Sequence, residues 1–384
     1  MIKDFYPEAW AMANNPITVA MQAPNGCSFV VTDVTAQPYT TLYEGEGEGD
    51  FTIDISEVVQ TAFQDPPPSP DNIQTTGIIT TVPRQVRKVR INASDPQGTD
   101  QLQWNILFGG TNKGVFRRLR KLGTDFVAQR IRNYQGNFFL TTRSDAWLIP
   151  IRETEVMPLA FICPGHDITI VEPLTAKQWA YTPPTGDDGM YTLLDIERLR
   201  RWFYTTHGII VSIFDVYVSG QLACRIVITR APLARKRYSI RFLNSYGAWE
   251  MVDMADEATL SPSLPEEQTL QRWDADTAAF YTHRERVNIS RTLSLHSGYA
   301  DATRLRWLLD MVASQHVYVR IHDAWVKAIP TIDETSIPLR AIEPQDLAVQ
   351  LTLADDECHI TGDVGVGTSL PPRIHTTQFN PPFN

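Results

Sequence analysis

Apolar residues in this chain come in short runs that often alternate with polar ones, and Gly, Pro and Asn break them. Residues 51–56, Phe-Thr-Ile-Asp-Ile-Ser, alternate strictly, the pattern of a strand with one buried face. Ile17, Val19 and Met21 precede Pro24-Asn25-Gly26, and Phe29-Val30-Val31 follow it. Asn-Gly is a strong reversal signal, so two strands joined by a turn are predicted. Further strands are predicted at 76–82, 86–91, 101–108, 138–140 and 147–151. Residues 158–162 and 168–171 bracket Cys163-Pro164-Gly165-His166-Asp167 and read as a hairpin. A second hairpin joins 209–218 to 222–228 at Ser219-Gly220, and closing strands fall at 317–319, 325–329 and 347–353.

Helical periodicity is sparse. One or two turns fit 57–63, with Ser56 as the N-cap. Thr192 is the candidate N-cap of a longer helix, with Asp195 three residues on as in a capping box. Ile196, Leu199, Trp202 and Phe203 share one face of it, Glu197, Arg198, Arg200 and Arg201 the other, and Gly208 suits its end. After Gly298, Asp301 can cap a helix whose buried stripe is Leu305, Leu308, Leu309 and Val312. Trp307 points off that stripe and is assigned to the core rather than to a partner contact.

Composition agrees with this balance. The chain has 384 residues, 43% hydrophobic and 20% charged, with 26 Pro, 21 Gly, 9 Trp and 13 Tyr. Together with many Thr and Val this favours strands, and the length suggests two or three units. The fold class expected is mainly β: multi-domain β-sandwich-like units, a C-terminal α+β module and two to three short helices. Breaks near Pro66–Pro70 and Ala231–Lys236 divide the chain into an N-terminal β unit (1–65), a central β-rich domain with one helix (66–234), a C-terminal α+β domain (235–360) and an extended tail (361–384). Phe379 and Phe383 make that Pro- and Asn-rich tail an arm suited to docking on a neighbour.

Charge narrows the partners. A formal net charge of −10 opposes general binding to phosphate backbones. The basic clusters at 84–90, 117–121 and 235–241 therefore read as solvated strand or loop faces, free to meet acidic faces of neighbouring subunits. Glu44-Gly45-Glu46-Gly47-Glu48-Gly49-Asp50 lacks the Lys-Ser/Thr of a phosphate loop and reads as an exposed hairpin tip. Four scattered cysteines, with no CxxC pair, suggest buried thiols rather than a disulfide framework. The first residues lack the apolar core of a signal peptide, and no apolar run approaches the roughly 20 residues of a membrane helix, so no membrane insertion is expected.

Catalytic patterns are thin. Cys163 and His166 have metal-pair spacing, and Asp355, Asp356, Glu357, Cys358 and His359 form a second polar group, but zinc needs about four convergent ligands. Glu153 and Glu155, two apart on a predicted strand, read as solvated charges rather than a glycosidase pair. No Gly-x-Ser-x-Gly elbow accompanies His207, His296 or His316. No enzyme activity, cofactor or metal is expected. Among nine tryptophans, Trp10 and Trp179 stand in weakly patterned surroundings and are the candidate interface anchors; stacking on carbohydrate is a competing use.

One stretch carries more. Arg241-Phe242-Leu243-Asn244-Ser245-Tyr246-Gly247-Ala248-Trp249-Glu250 reads as a hairpin around Asn-Ser-Tyr-Gly, with Phe242 and Trp249 placed to share a face. It is followed by Arg284, Arg286 and Val287 in a polar strand, by Thr292 to Tyr299, by the helix 302–312, by Ala313 to Val319, by a hairpin ending at Val326 to Pro330, and by 347–353. This order, about a third of the chain, resembles the C-terminal domain of tail-tip or baseplate structural proteins of tailed bacteriophages infecting Bacteroidetes-type hosts. The strand and short helix at 51–63 fit the same family loosely. The resemblance implies a virion protein made in the host cytoplasm. It implies an oligomeric ring or adaptor that contacts its own copies and other tail proteins, with no catalytic residues to carry over and no specific nucleic acid. A carbohydrate-binding adhesion protein, using β-sandwich loops on a host glycan, is the alternative.

Overall fold

The computed structural model describes residues 1–63, 73, 75–132, 139–144, 147–234, 236–255, 258–263, 269–284, 289–321, 323–332 and 346–354, excluding the side chains of 130–132, 255, 269, 283 and 284. Phe138, Arg286, Val287, the 355–359 polar group and the tail with Phe379 and Phe383 lie outside the described residues. The fold is mainly β, with 51% strand and 16% helix arranged in several curled sheets with about five short helices. Two compact units are present. Unit 1 holds Met1–Arg230 with Leu243–Glu250; unit 2 holds Ala231–Phe242 and the described residues from Met251 on.

The first sheet of unit 1 contains β1 (Ile2–Tyr6), β2 (Trp10–Met12), β3 (Thr18–Asp33), β4 (Thr40–Asp54), β6 (Val86–Asp95) and β7 (Gly98–Leu107), with β5 (Ile79–Thr81) in another sheet. Here the turn expectations fail. Asn25-Gly26 does not reverse the chain: β3 runs straight through it, and the extra residues bulge between Ala23, opposite Gly49, and Cys27, opposite Gly47. The Glu-Gly repeat is not a hairpin tip either. It is the middle of β4, paired with β3 along its length. Its glycines answer to aromatic rings. A Cβ on Gly45 would lie 2.6 Å from Phe29 Cζ, and one on Gly47 2.4 Å from Phe51 Cζ. The two rings thus cover a strand face that has no side chains, while the intervening carboxylates point to solvent.

After β4 comes α1 (Ser56–Gln60), where Ser56 is the first helical residue rather than the cap; its amide donates to Asp54 Oδ1 at 3.0 Å. The basic run at 117–121 is helical, not a strand or loop. It belongs to α2 (Lys113–Lys121), whose cap Asn112 accepts from the Val115 amide at 2.9 Å. Helices therefore exceed the two or three expected.

Two further sheets complete unit 1. One contains β5, β9 (Leu159–Ile162) and β12 (Tyr191–Leu194). The other runs β11 (Gln178–Tyr181), β10 (Ile168–Val171), β13 (Ile213–Val218), β14 (Gln221–Thr229) and β8 (Leu148–Arg152). The hairpin expected around Pro164-Gly165 is absent, because β9 and β10 belong to different sheets. The Ser219-Gly220 hairpin forms as expected, both turn residues having positive φ. α3 (Ile196–His207) is capped by Asp195, which accepts from the Arg198 amide at 2.9 Å; Thr192 instead lies in β12. Gly208 ends the helix at φ 69 as expected. Ile196, Leu199 and Phe203 are fully buried in one core cluster, each worth about 1.5–3 kcal/mol on burial.

Unit 2 is built on a seven-stranded sheet in the order β16 (Trp249–Ala255), β15 (Arg237–Leu243), β21 (Val317–Ile321), β22 (Ala324–Thr331), β23 (Ala348–Leu353), β20 (Ser290–His296), β17 (Ala258–Ser263). α4 (Ala302–Ala313) is capped by Asp301 and buries Leu305, Trp307, Leu308 and Met311 in the sheet's core cluster. Trp307 is thus core, its ring 5.8 Å from Phe242, whereas Leu309 and Val312 are only half-buried. The remaining strands, β18 (Thr269–Asp274) and β19 (Ala279–Arg284), pair with each other and with no other strand among the described residues.

Candidate interaction surface

The β18–β19 hairpin presents the largest aromatic display among the described residues. Trp273 faces Phe280 directly across the two strands, ring centroids 5.0 Å apart at an interplanar angle of 65°, edge to face. Trp273 is 51% exposed, Phe280 66%, Leu270 50% and Tyr281 43%. A two-stranded ribbon alone is marginal in water. Trp273 and Phe280 form an exposed apolar pair on one face, with Leu270 and Tyr281 on the other, and such exposed apolar pairs mark a contact site. Trp273 is absent from the anchors expected above, yet its sequence signal is legible: Gln-Arg-Trp-Asp and Phe-Tyr-Thr-His flank a short polar turn, with aromatics at facing positions.

Charge forms a second kind of surface, in unit 1. Glu44, Glu46, Glu48 and Asp50 are all exposed along β4. β4 pairs on one side with β3 and on its other side with no strand among the described residues. Lys113, Arg117, Arg118, Arg120 and Lys121 are all exposed on α2, while Leu119 anchors the helix in the core.

The anchors expected from sequence lie elsewhere. Trp10 is buried at 5% exposure in β2, packed in a core cluster of unit 1, so its area is spent inside the chain. Trp179 is half-buried on the edge strand β11 and stacks on Tyr181 at 6.2 Å with an interplanar angle of 7°. Trp147, not singled out before, is 47% exposed under the Arg225 guanidinium.

The turn at Leu243–Glu250 is fixed by a buried polar centre in unit 1. Asn244 Oδ1 accepts from the amides of Tyr246 and Ala248, and its Nδ2 donates to Leu140 O at 2.8 Å and Glu250 Oε1 at 2.6 Å. The Thr142 amide donates to the same Glu250 oxygen at 3.0 Å. Arg143 donates to Glu155 Oε2 at 2.8 Å, and its Nε lies 3.4 Å from Glu250 Oε2. All four side chains are at most 5% exposed. Glu155 is therefore not a solvated charge on a strand face. It sits in a short 3-10 turn, Glu153–Glu155, and one guanidinium serves two buried carboxylates.

Burial pushes the Glu250 carboxyl above its ordinary value of 4.5, against the pull of Arg143 and of hydrogen bonds from Thr141, Asn244 and Thr142. A raised pKa means the folded chain holds this proton more tightly than the unfolded chain. The stability it contributes is full below the unfolded value and is lost as pH rises through the folded one. The expected result is that wild-type stability, measured against Glu250→Gln, falls as pH is raised from about 4 to about 7. Urea unfolding at each pH checks this; a difference that stays flat or rises contradicts it.

Among the described residues, elements of hydrolytic chemistry meet at His296, Asp346 and Ser297. His296 Nδ1 lies 2.6 Å from Asp346 Oδ2. Ser297 Oγ lies 3.3 Å from the other oxygen of the same carboxylate, 2.7 Å from Gly298 O, and accepts from the Leu347 amide. A relay needs the hydroxyl on the imidazole; here serine and histidine both meet the acid, and the cluster ties β20 to the start of β23. Cys163 is buried while His166 is exposed. Among the described residues no three His, Cys, Asp or Glu side chains gather as a metal site. Cys27, Cys163 and Cys224 are buried free thiols, as expected; Cys358 lies outside the described residues.

No family model and no curated protein sequence matches this chain. No helix among the described residues is long and apolar enough to cross a membrane.

Proposed function

We propose that this chain is a non-catalytic structural subunit of a phage tail or baseplate, present in several copies in an oligomeric ring or adaptor that also contacts other tail proteins. The observation that carries this reading is the β18–β19 hairpin. It commits four large apolar side chains to solvent on a ribbon too small to be stable for its own sake. Such a ribbon gains its stability when a neighbouring subunit covers it, because desolvated aromatics are the usual source of interface affinity.

The test is light scattering and electron microscopy of the purified chain, with mass spectrometry of phage particles. The expected result is a multi-copy species, or peptides of this chain within a particle. Trp273→Ser with Phe280→Ser should retain the circular dichroism of the wild type and lose association by about tenfold or more, since the pair removes an aromatic contact worth at least about 1.4 kcal/mol at the interface. A chain that stays monomeric at every concentration and is absent from particles would sink the proposal.

The stacked, near-parallel rings of Trp179 and Tyr181 on an edge strand favour a second reading, a glycan-binding protein. A glycan-array signal abolished by Trp179→Ala would select it.

A further inference from the structure

We propose that the cationic face of α2 seats the acidic edge strand β4 of a second copy of this chain, giving a head-to-tail contact. The proposal rests on the multi-copy reading and names the surfaces that meet.

Each surface carries charge that finds little compensation among the described residues. Lys113, Arg117, Arg118, Arg120 and Lys121 place five cations on nine residues with no acid among them. None forms an ion pair among the described residues; Arg120 lies over the Tyr6 ring. Lys113 with Arg117 and Arg117 with Lys121 are like-charge pairs at i,i+4, which weaken a helix. The helix dipole favours the cations of the last turn but opposes Lys113 in the first. On β4, only Asp50 has a cationic partner, Lys3 at 4.0 Å; Glu44, Glu46 and Glu48 have none among the described residues. These four like charges line one side of an edge strand.

The spacings also match. Lys113, Arg117 and Lys121 form one row along α2, repeating every four residues or about 6 Å. The carboxylates of β4 repeat every two residues or about 6.8 Å. Three cations therefore meet three successive carboxylates with a mismatch of about 1–2 Å over the row, well within the reach of Lys and Arg side chains. A shallow hollow lined by Gly26, Ser28, Glu46, Glu48, Ser94 and Asp95 flanks the strand and brings one more carboxylate to the helix. At a net charge of −10, two copies repel in most orientations, so they meet most readily where opposite signs face each other. A head-to-tail contact between unlike surfaces propagates around a ring or along a filament.

Sedimentation velocity of the full chain tests this at about 50 mM and about 500 mM salt, a range that screens exposed charge. Wild type is expected to associate at low salt and to weaken by about tenfold or more at high salt. The helix variant, Arg117→Glu with Lys121→Glu, and the strand variant, Glu46→Lys with Glu48→Lys, should each lose association to a similar degree. Their equimolar mixture should recover it, as should one chain carrying all four changes. If circular dichroism shows a reversal variant misfolded, Arg117→Gln with Lys121→Gln replaces it. A wild-type oligomer indifferent to both reversals overturns this contact and leaves the multi-copy reading intact. A wild-type monomer under every condition overturns both. A helix variant that changes only affinity for a short DNA duplex also overturns the contact and assigns the face to nucleic acid.

Discussion

Arg143→Met is expected to lower the stability of the chain by about 3–5 kcal/mol, the usual consequence of removing one partner from a buried ion pair. The size follows from what stays behind. Glu155 and Glu250 are both buried, and Arg143 is the cation they share. Without it, one or both must take up a proton or admit water, and either disrupts the bonds to Asn244 and Thr142 that hold the 243–250 turn. Methionine fills much of the same volume, so the loss reports charge more than packing. Urea unfolding followed by tryptophan fluorescence measures it. Adding Glu155→Gln and Glu250→Gln should recover part of the loss, because the uncompensated charge is then gone. A single-variant effect below about 1 kcal/mol would mean the centre is wet, as for exposed pairs.

Gly247→Ala is expected to be nearly as damaging, at roughly 2–5 kcal/mol from left-handed backbone strain and overpacking together. Gly247 has φ 75, and a Cβ there would fall 2.4 Å from the carbonyl oxygen of Phe108. Gly109, φ 102, faces the same crowding from the other side, 2.3 Å from Ser245 O. Two backbones touch here, and the Gly110 amide donates to Ser245 O at 2.7 Å across the contact. Neither carbonyl can swing away as a side-chain tip would. Gly220→Ala is the control: its φ is 78, but a Cβ there meets nothing within 4 Å. Thermal unfolding should show a small loss at Gly220 and a large one at Gly247. Equal losses would show that φ alone decides and that the close approach costs nothing.

Both predictions concern features that no local pattern announces. The Arg241–Glu250 stretch reads as a hairpin from its Asn and Gly, and a hairpin it is. That its turn packs by backbone against Gly109 and Gly110 depends on residues more than a hundred positions away. Glu153 and Glu155 look alike in sequence; only the arrival of Arg143 makes Glu155 a buried anchor. Trp10 and Trp179 had similar surroundings in sequence, yet a parallel pairing with β7 draws Trp10 into the core while Trp179 stays on an edge strand.

Local physics reached the elements whose signals are short-ranged. The Asp301 cap and the buried Leu305 and Leu308 of α4, the Gly208 stop of α3, the Ser219-Gly220 hairpin and the mainly β class all follow from side-chain period and from the φ that a residue tolerates. Where a local signal met a competing long-range one, the long-range one prevailed. Asn25-Gly26 favours a reversal, but pairing β4 along the whole of β3 satisfies more backbone groups, so the turn becomes a bulge. Glycines that suggest a loose tip instead make room for Phe29 and Phe51, and the carboxylates between them become an ordered row. Five cations that suggest a solvated loop become one helical face once Asn112 caps α2 and Leu119 enters the core. Period and backbone tolerance are properties of neighbours in the chain. Burial, shared counter-ions and the matching of charged rows belong to distances that exist only after folding.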